Sequence, residues 1–315
     1  MDPSTRSKAS PSPVDMSQAE EMIPGSTAAS STAHLQPVIR QSRREPRSVS
    51  LTPLLCERWL GNADTGKDNR AFLESNIDLN QTLWQLVMYC FLTGFTSAPT
   101  FLACYIWAGF QTGNLVQLSL AIARLFATSD RTFHKGDQQA LTSLISFLLG
   151  SSLGRIGDRV GPKKRWWLMT STFIMALLTM AASLCAHFSG DASVAEYRTE
   201  ASWSNAKGMA ALGFASASLG LQGIVAKRLN SQFGTAVVLT TVWVELVNDP
   251  KLFALKLVKT RDHRLLAVLF TFLGGMCSSG IVYASSSAVA FGACTGLRLI
   301  SVLMWLIVPM EKVSA

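Results

Sequence analysis

The chain is short of what soluble catalytic chemistry needs. Only 15% of its 315 residues are charged, and it has 4 histidines and 6 cysteines. Cys56, Cys90, Cys104, Cys185, Cys277 and Cys294 form no C-x-x-C pair, and all but Cys56 sit in apolar runs. Buried cysteine behaves as a small hydrophobe, so neither a disulfide framework nor a metal site is expected. The histidines are isolated, and the sequence has no Gly-rich phosphate loop, nucleophile elbow or paired carboxylates at helical spacing. An enzyme, a metal and a cofactor are therefore not expected. The first 50 residues lack an apolar h-region, so no cleavable secretory signal is expected either. The basic excess, 28 Lys and Arg against 20 Asp and Glu, comes in short runs without interleaved aromatics. That pattern argues against a nucleic acid partner.

What the chain has is apolar length. Hydrophobic residues make up 49% of it, mean hydropathy is +0.27, and these residues gather in long blocks. This composition predicts an all-α integral membrane protein whose first partner is the lipid bilayer. Residues 1–80 are polar, rich in Ser, Thr, Pro and charge, and read as a disordered cytoplasmic tail ahead of a polytopic membrane domain at 81–312. The blocks run near Leu83–Tyr105, Leu115–Ala127, Leu141–Gly157, Trp166–Phe188, Gly208–Ala226, Thr235–Val247, Leu265–Tyr283 and Ala288–Pro309. A crossing takes about 20 helical residues. Leu115–Ala127 and Thr235–Val247 fall short of that, so the spans number six to eight.

Charge decides within that range. The connections 155–165 and 249–264 are the most basic, and 189–205, with Asp191, Glu196 and Glu200, is acidic. If all eight blocks crossed, the two basic connections would lie on opposite sides. If the short blocks are re-entrant or half-helices, both basic connections join the tail on one side and the acidic one lies on the other. The positive-inside rule selects six spans, with both termini cytoplasmic.

A weak repeat points the same way. Gly94-Phe95, Thr112-Gly113-Asn114 and Phe147–Ser152 are echoed about 125 residues later by Gly220–Gln222, Thr240-Thr241 and Phe272–Gly275. Candidate repeats are 83–188 and 208–309. Three spans per copy is an odd number, so the second copy is expected to be inverted. Inverted repeats with broken helices at matching positions are a signature of secondary transporters.

The motifs G-F-x-S-A (Gly94–Ala98), F-x-T-G-N (Phe110–Asn114), F-L-L-G (Phe147–Gly150), G-L-Q (Gly220–Gln222) and V-V-L-T-T-V (Val237–Val242), followed by N-D-P-K-L, carry a resemblance. Over about Leu83 to Val308 the chain resembles the YoaK-like family of uncharacterised membrane proteins (domain of unknown function 1275), most closely its fungal branch. It departs from the family pattern at Ser97, where members often carry an acidic residue. Proton or cation binding by such a carboxylate is therefore not expected here. Locally, Gly154-Arg155-Ile156-Gly157-Asp158-Arg159-Val160-Gly161-Pro162-Lys163-Lys164 resembles the cytoplasmic loop motif of major facilitator transporters. In that motif Gly154, Asp158, Arg159 and Gly161 occupy the key positions. The likeness implies that the loop is cytoplasmic and that six spans form half a facilitator, hence a homodimer.

The candidate substrate-binding residues are Gln111, Thr112, Gly113 and Asn114 at the first break, with Gln222, Thr240 and Thr241 in the second copy. A half-helix N-terminus beside freed carbonyls could hold a solute. Thr112 or Asn114 could equally cap the helix that follows, and the threonines could bond back to their own helix. Intramembrane charge is costly and therefore functional by default. Arg298 in the last block is the prime case, with Glu245 as its expected partner, whereas Arg124 is expected to snorkel. The reading that results is a small-solute transporter or permease-like protein of unknown substrate. The alternative is a non-transporting membrane adaptor acting through its cytoplasmic tail.

Overall fold

The computed structural model describes residues 65–129, 131–197, 201–229, 239–254 and 256–311. Helices account for the apolar blocks because a backbone in lipid must satisfy its own hydrogen bonds. Among the described residues there are ten α-helices, one short 3-10 turn at Leu79–Gln81 and no strand. The α-helices are α1 (Thr65–Glu74), α2 (Leu83–Cys104), α3 (Gln111–Ala127), α4 (Lys135–Ser152), α5 (Gly154–Val160), α6 (Arg165–Ser189), α7 (Ala206–Arg228), α8 (Leu239–Val247), α9 (Lys259–Ala284) and α10 (Ser287–Ile307). Six stretches are long and apolar enough to cross a membrane: α2, α4 continued by α5 as Lys135–Val160, α6, α7, α9 and α10. These are the six expected spans, so the chain is an integral multi-pass membrane protein.

The two short blocks form the two short helices. At one end of the bundle, Ile77 pairs with Met310 and Asn76 with Lys164, joining the approach to α2, the start of α6 and the end of α10. We call this end proximal. At the distal end, the amides of Ala195 and Ser202 donate to the carbonyls of Leu102 and Ala103, and Gln139 and Lys135 of α4 reach the 202–204 loop. Helix α3 starts and finishes in the distal half. Arg124, near its end, pairs with Asp137 in the first turn of α4. Gln111 and Asn114, at its start, bond Ser143, about 12 Å into α4 at 1.5 Å per residue. At the proximal end α8 is tied to the first turns of α9 through Glu245 and Arg264, 2.9 Å apart. The part of the second short block at 235–238 lies outside the described residues.

Packing repeats with the sequence. Helix α2 lies along α9 as α7 lies along α4; α3 packs on α4 as α8 packs on α9; and α6 meets α7 as α10 meets α2. Four glycines make the closest crossings. A methyl group at Gly94 would strike the carbonyl of Thr271, and one at Gly220 that of Phe147; at Gly150 and Gly274 it would strike those of Ala217 and Phe91. From Gly94 to Gly220 and from Phe91 to Ala217 the offset is 126, and from Gly150 to Gly274 it is 124. Small residues at crossings let backbones approach, which is how helices associate in lipid. Because each copy holds three candidate spans, the copies run in opposite senses through the bundle.

Exposed apolar residues mark the outward faces, among them Leu148, Leu149, Phe272 and Met276. The expected tail lies outside the described residues as far as 64. Its last part holds α1 and the bridging strand-like residues Asn76 and Ile77, and Ile77 is buried in the core. Among the described residues, packing against the bundle therefore begins ahead of residue 81.

Candidate functional site

A polar cluster lies in the middle of the bundle. Arg298 is fully buried, 11 residues from the start of α10 and 9 from its end, so at 1.5 Å per residue about 14–17 Å of helix lies on either side. Its Nη1 donates to Gln222 Oε1 at 3.0 Å. Its Nη2 lies 3.4 Å from Thr96 Oγ1 and 3.5 Å from Ser218 Oγ, at the weak limit for a hydrogen bond. Its Nε, also buried, has no hydrogen-bond partner. No carboxylate among the described residues pairs with this cation. Gln222 is held in turn, its amide donating to the carbonyl of Tyr89 at 2.9 Å and to Thr93 Oγ1 at 2.8 Å. This fixes its carbonyl oxygen toward the guanidinium. The cluster continues through the Tyr89 hydroxyl, 2.7 Å from Thr172 Oγ1, which also accepts from the Trp305 indole at 3.0 Å.

Sequence reasoning identified Gln222 and Arg298 separately, and the structure brings them into contact. It missed Thr96 and Ser218. Thr96 was within reach, because it precedes Gln222 by the same 126 residues that separate Gly94 from Gly220. Arg298 therefore bonds equivalent positions in the two copies. The expected partner of Arg298, Glu245, is not beside it. Glu245 is half exposed and pairs with Arg264 at 2.9 Å, because α8 stays at the proximal end while Arg298 lies at mid-bundle.

The first break is a different kind of site. Asn114 is buried, and its amide lies within hydrogen-bond reach of the Trp107 carbonyl (3.0 Å), Gln111 Oε1 (2.9 Å) and Ser143 Oγ (3.1 Å). Gln111 donates to the Ala108 carbonyl at 2.8 Å, and Ser143 meets Ser216 at 2.8 Å. These bonds satisfy the carbonyls of Trp107 and Ala108, which a helix break frees in lipid. Thr112 and Gly113 are exposed, and nothing lies within 4 Å of a methyl placed on Gly113. The four residues thus do not converge on one cavity: two lock the turn and two face outward. Thr240 and Thr241 also face outward, apart from Gln222.

The loop motif closes a helix end. Asp158 pairs with Arg228 at the end of α7, with a closest approach of 2.7 Å, and both side chains are partly exposed. Gly154 is buried against Ile224, and Gly161 ends α5 at φ +109°, a conformation that favours glycine. Arg159 joins Arg70, Glu74, Val160, Lys164 and Trp166 around an open cleft of about 560 Å³. Arg165, counted among the loop cations, is instead fully buried. It donates to the carbonyls of Trp305 and Leu306 at 2.7 and 3.2 Å and lies 4.0 Å over the Phe72 ring. A cation there satisfies the last carbonyls of α10.

Among the described residues no group of three or more His, Cys, Asp or Glu is placed to hold a metal ion. A family model described as "Protein of unknown function (DUF1275)" matches residues 85–304. Neither a curated protein nor a solved structure matches the chain.

Proposed function

We propose, from the premise that the chain belongs to the family of unknown function DUF1275, that it is a small-solute transporter whose site is the mid-bundle cluster around Arg298. One observation carries the reading: a fully buried guanidinium with no carboxylate partner among the described residues, bonded to equivalent positions of two inverted copies. A lone charge at that depth costs several kcal/mol. A stable scaffold gains nothing from it that an apolar side chain would not supply, so its retention fits work done on a solute.

The scaffold supports the movement such work needs. The two copies meet around the cluster, so rocking one against the other would open it to each end in turn. Pro99 lies inside α2 and removes the amide that would have bonded the Phe95 carbonyl, loosening the helix beside Thr96. The activity involves no covalent chemistry. The proximal end, which carries Arg159, Lys163, Lys164, Lys227 and Lys259, is the cytoplasmic one by the positive-inside rule, and both membrane termini point there. A glycosylation acceptor on a spacer in 128–139 should be modified and one in 155–164 should not; the reverse pattern would overturn this orientation.

The transport reading is tested with purified protein in liposomes. After hyperosmotic shrinkage in a panel of amino acids, sugars, polyols and monovalent salts, at least one solute should re-swell proteoliposomes faster than protein-free vesicles. Deleting 1–69 should leave that rate unchanged. No acceleration by any solute, from protein shown to be folded by circular dichroism, would remove the transport reading and favour an adaptor working through the N-terminal segment.

A further inference from the structure

We infer that the Arg298 cluster is a binding site for a small monovalent anion, a carboxylate or an inorganic ion, engaged side-on by Nε and Nη2. The inference rests on the transport reading for its purpose and on separate observations for its chemistry.

A guanidinium has five donors and no acceptor, arranged as two edges. The Nη1 group is used, with a 3.0 Å bond to Gln222 Oε1. The Nε and Nη2 edge is not. Nε is buried without a partner, and Nη2 has only the two distant hydroxyls, at 3.4 and 3.5 Å. That edge is the one that takes a carboxylate through two parallel bonds. Of the hydroxyls flanking it, Thr96, 3.3 Å from Cys294 Sγ, can turn its proton toward an anion, whereas Ser218 gives its proton to the Ala215 carbonyl at 2.8 Å. The neighbourhood therefore offers donors in excess of acceptors, the composition of an anion site.

Charge sets the valence. Among the described residues, Arg298 is the one charged side chain between Ser287 and Ile307, and α6 carries none from Trp166 to Ala186. One bound monovalent anion makes the centre neutral, whereas a divalent one leaves a net charge in lipid. Size follows from packing. The side chain is fully buried, which favours an anion a few atoms across.

The competing explanation is that Arg298 only staples α2 and α7 to α10. The two are separated by thermal unfolding of the full chain in nanodiscs at constant ionic strength. Sodium chloride, nitrate, formate and acetate are titrated against a gluconate background. At least one should raise the midpoint saturably, by roughly 5–10 °C at about 100-fold excess over its dissociation constant. The shift should vanish in Arg298→Gln and survive, weakened, in Arg298→Lys. Formate or acetate acting without chloride assigns a carboxylate; chloride or nitrate acting alone assigns an inorganic ion. If no anion shifts the wild type saturably, or the shift persists in Arg298→Gln, the inference falls and the staple stands. Because the wild type alone can refute it, misfolding of a variant does not protect the proposal. A neutral solute that re-swells vesicles while no anion binds would sink the anion and leave transport standing. An anion that binds but never crosses would do the opposite.

Discussion

The two copies of the repeat agree in their framework and differ in their chemistry. Both cross a partner helix at glycines 126 or 124 residues apart, both pack a short helix on the long helix after it, and both place a polar residue, Thr96 or Gln222, against Arg298. They part where charge and hydrogen bonding are concerned. Helix α10 carries a mid-helix arginine and α6 does not; α3 is locked by the buried Asn114, and α8 has the exposed Thr240 at the matching place. Repetition has kept the backbone approach that lipid demands. One charge sits where the two copies meet, at the place proposed for the solute.

The comparison breaks first at the glycines. Valine at Gly150 or at Gly274 places a β-carbon on a backbone carbonyl that no rotamer change can move. Each should cost more than about 4 kcal/mol, and size-exclusion chromatography should show little monodisperse protein for either. If one variant were tolerated and its counterpart were not, the shared framework would be an accident of composition.

The next effect belongs to the unshared charge. Arg298→Gln should slow the flux of the carried solute by about 10- to 150-fold, the equivalent of one charged hydrogen bond worth about 1.5–3 kcal/mol. Its unfolding midpoint should not fall, because an uncompensated buried charge is removed and not created. A drop in midpoint with flux retained would make Arg298 a staple and erase the division between framework and chemistry.

Much of this was legible in the residues. Block length and the placement of charge gave six spans and two half-helices because the bilayer fixes both. The repeat showed in Gly94, Gly150, Gly220 and Gly274, since a crossing tolerates so little else. Gln222 and Arg298 stood out because polar and charged residues are costly in lipid. What stayed hidden was long-range pairing. Glu245 was a reasonable partner for Arg298 by charge alone, and only the position of α8 beside α9 gives it to Arg264. Arg165 read as a loop cation because the sequence does not show that the end of α10 closes over it. At the break, the motif spacing identified Thr112 and Asn114 together, but neighbours on a helix face different ways, and only Asn114 turns inward.

That last difference supplies the smallest and sharpest test. Asn114 and Thr240 are 126 residues apart and hold corresponding places on the two short helices. Asn114→Ala leaves the Trp107 carbonyl without its buried donor, which should cost about 1–3 kcal/mol. Thr240→Ala touches an exposed side chain and should stay within about 0.5 kcal/mol of wild type. Denaturant unfolding in mixed micelles measures both, and re-swelling rates should be unchanged in each once the protein is folded. If Asn114→Ala abolished flux while stability held, the first break would be part of the solute path, and the division between a locked turn and a charged centre would have to be redrawn around it.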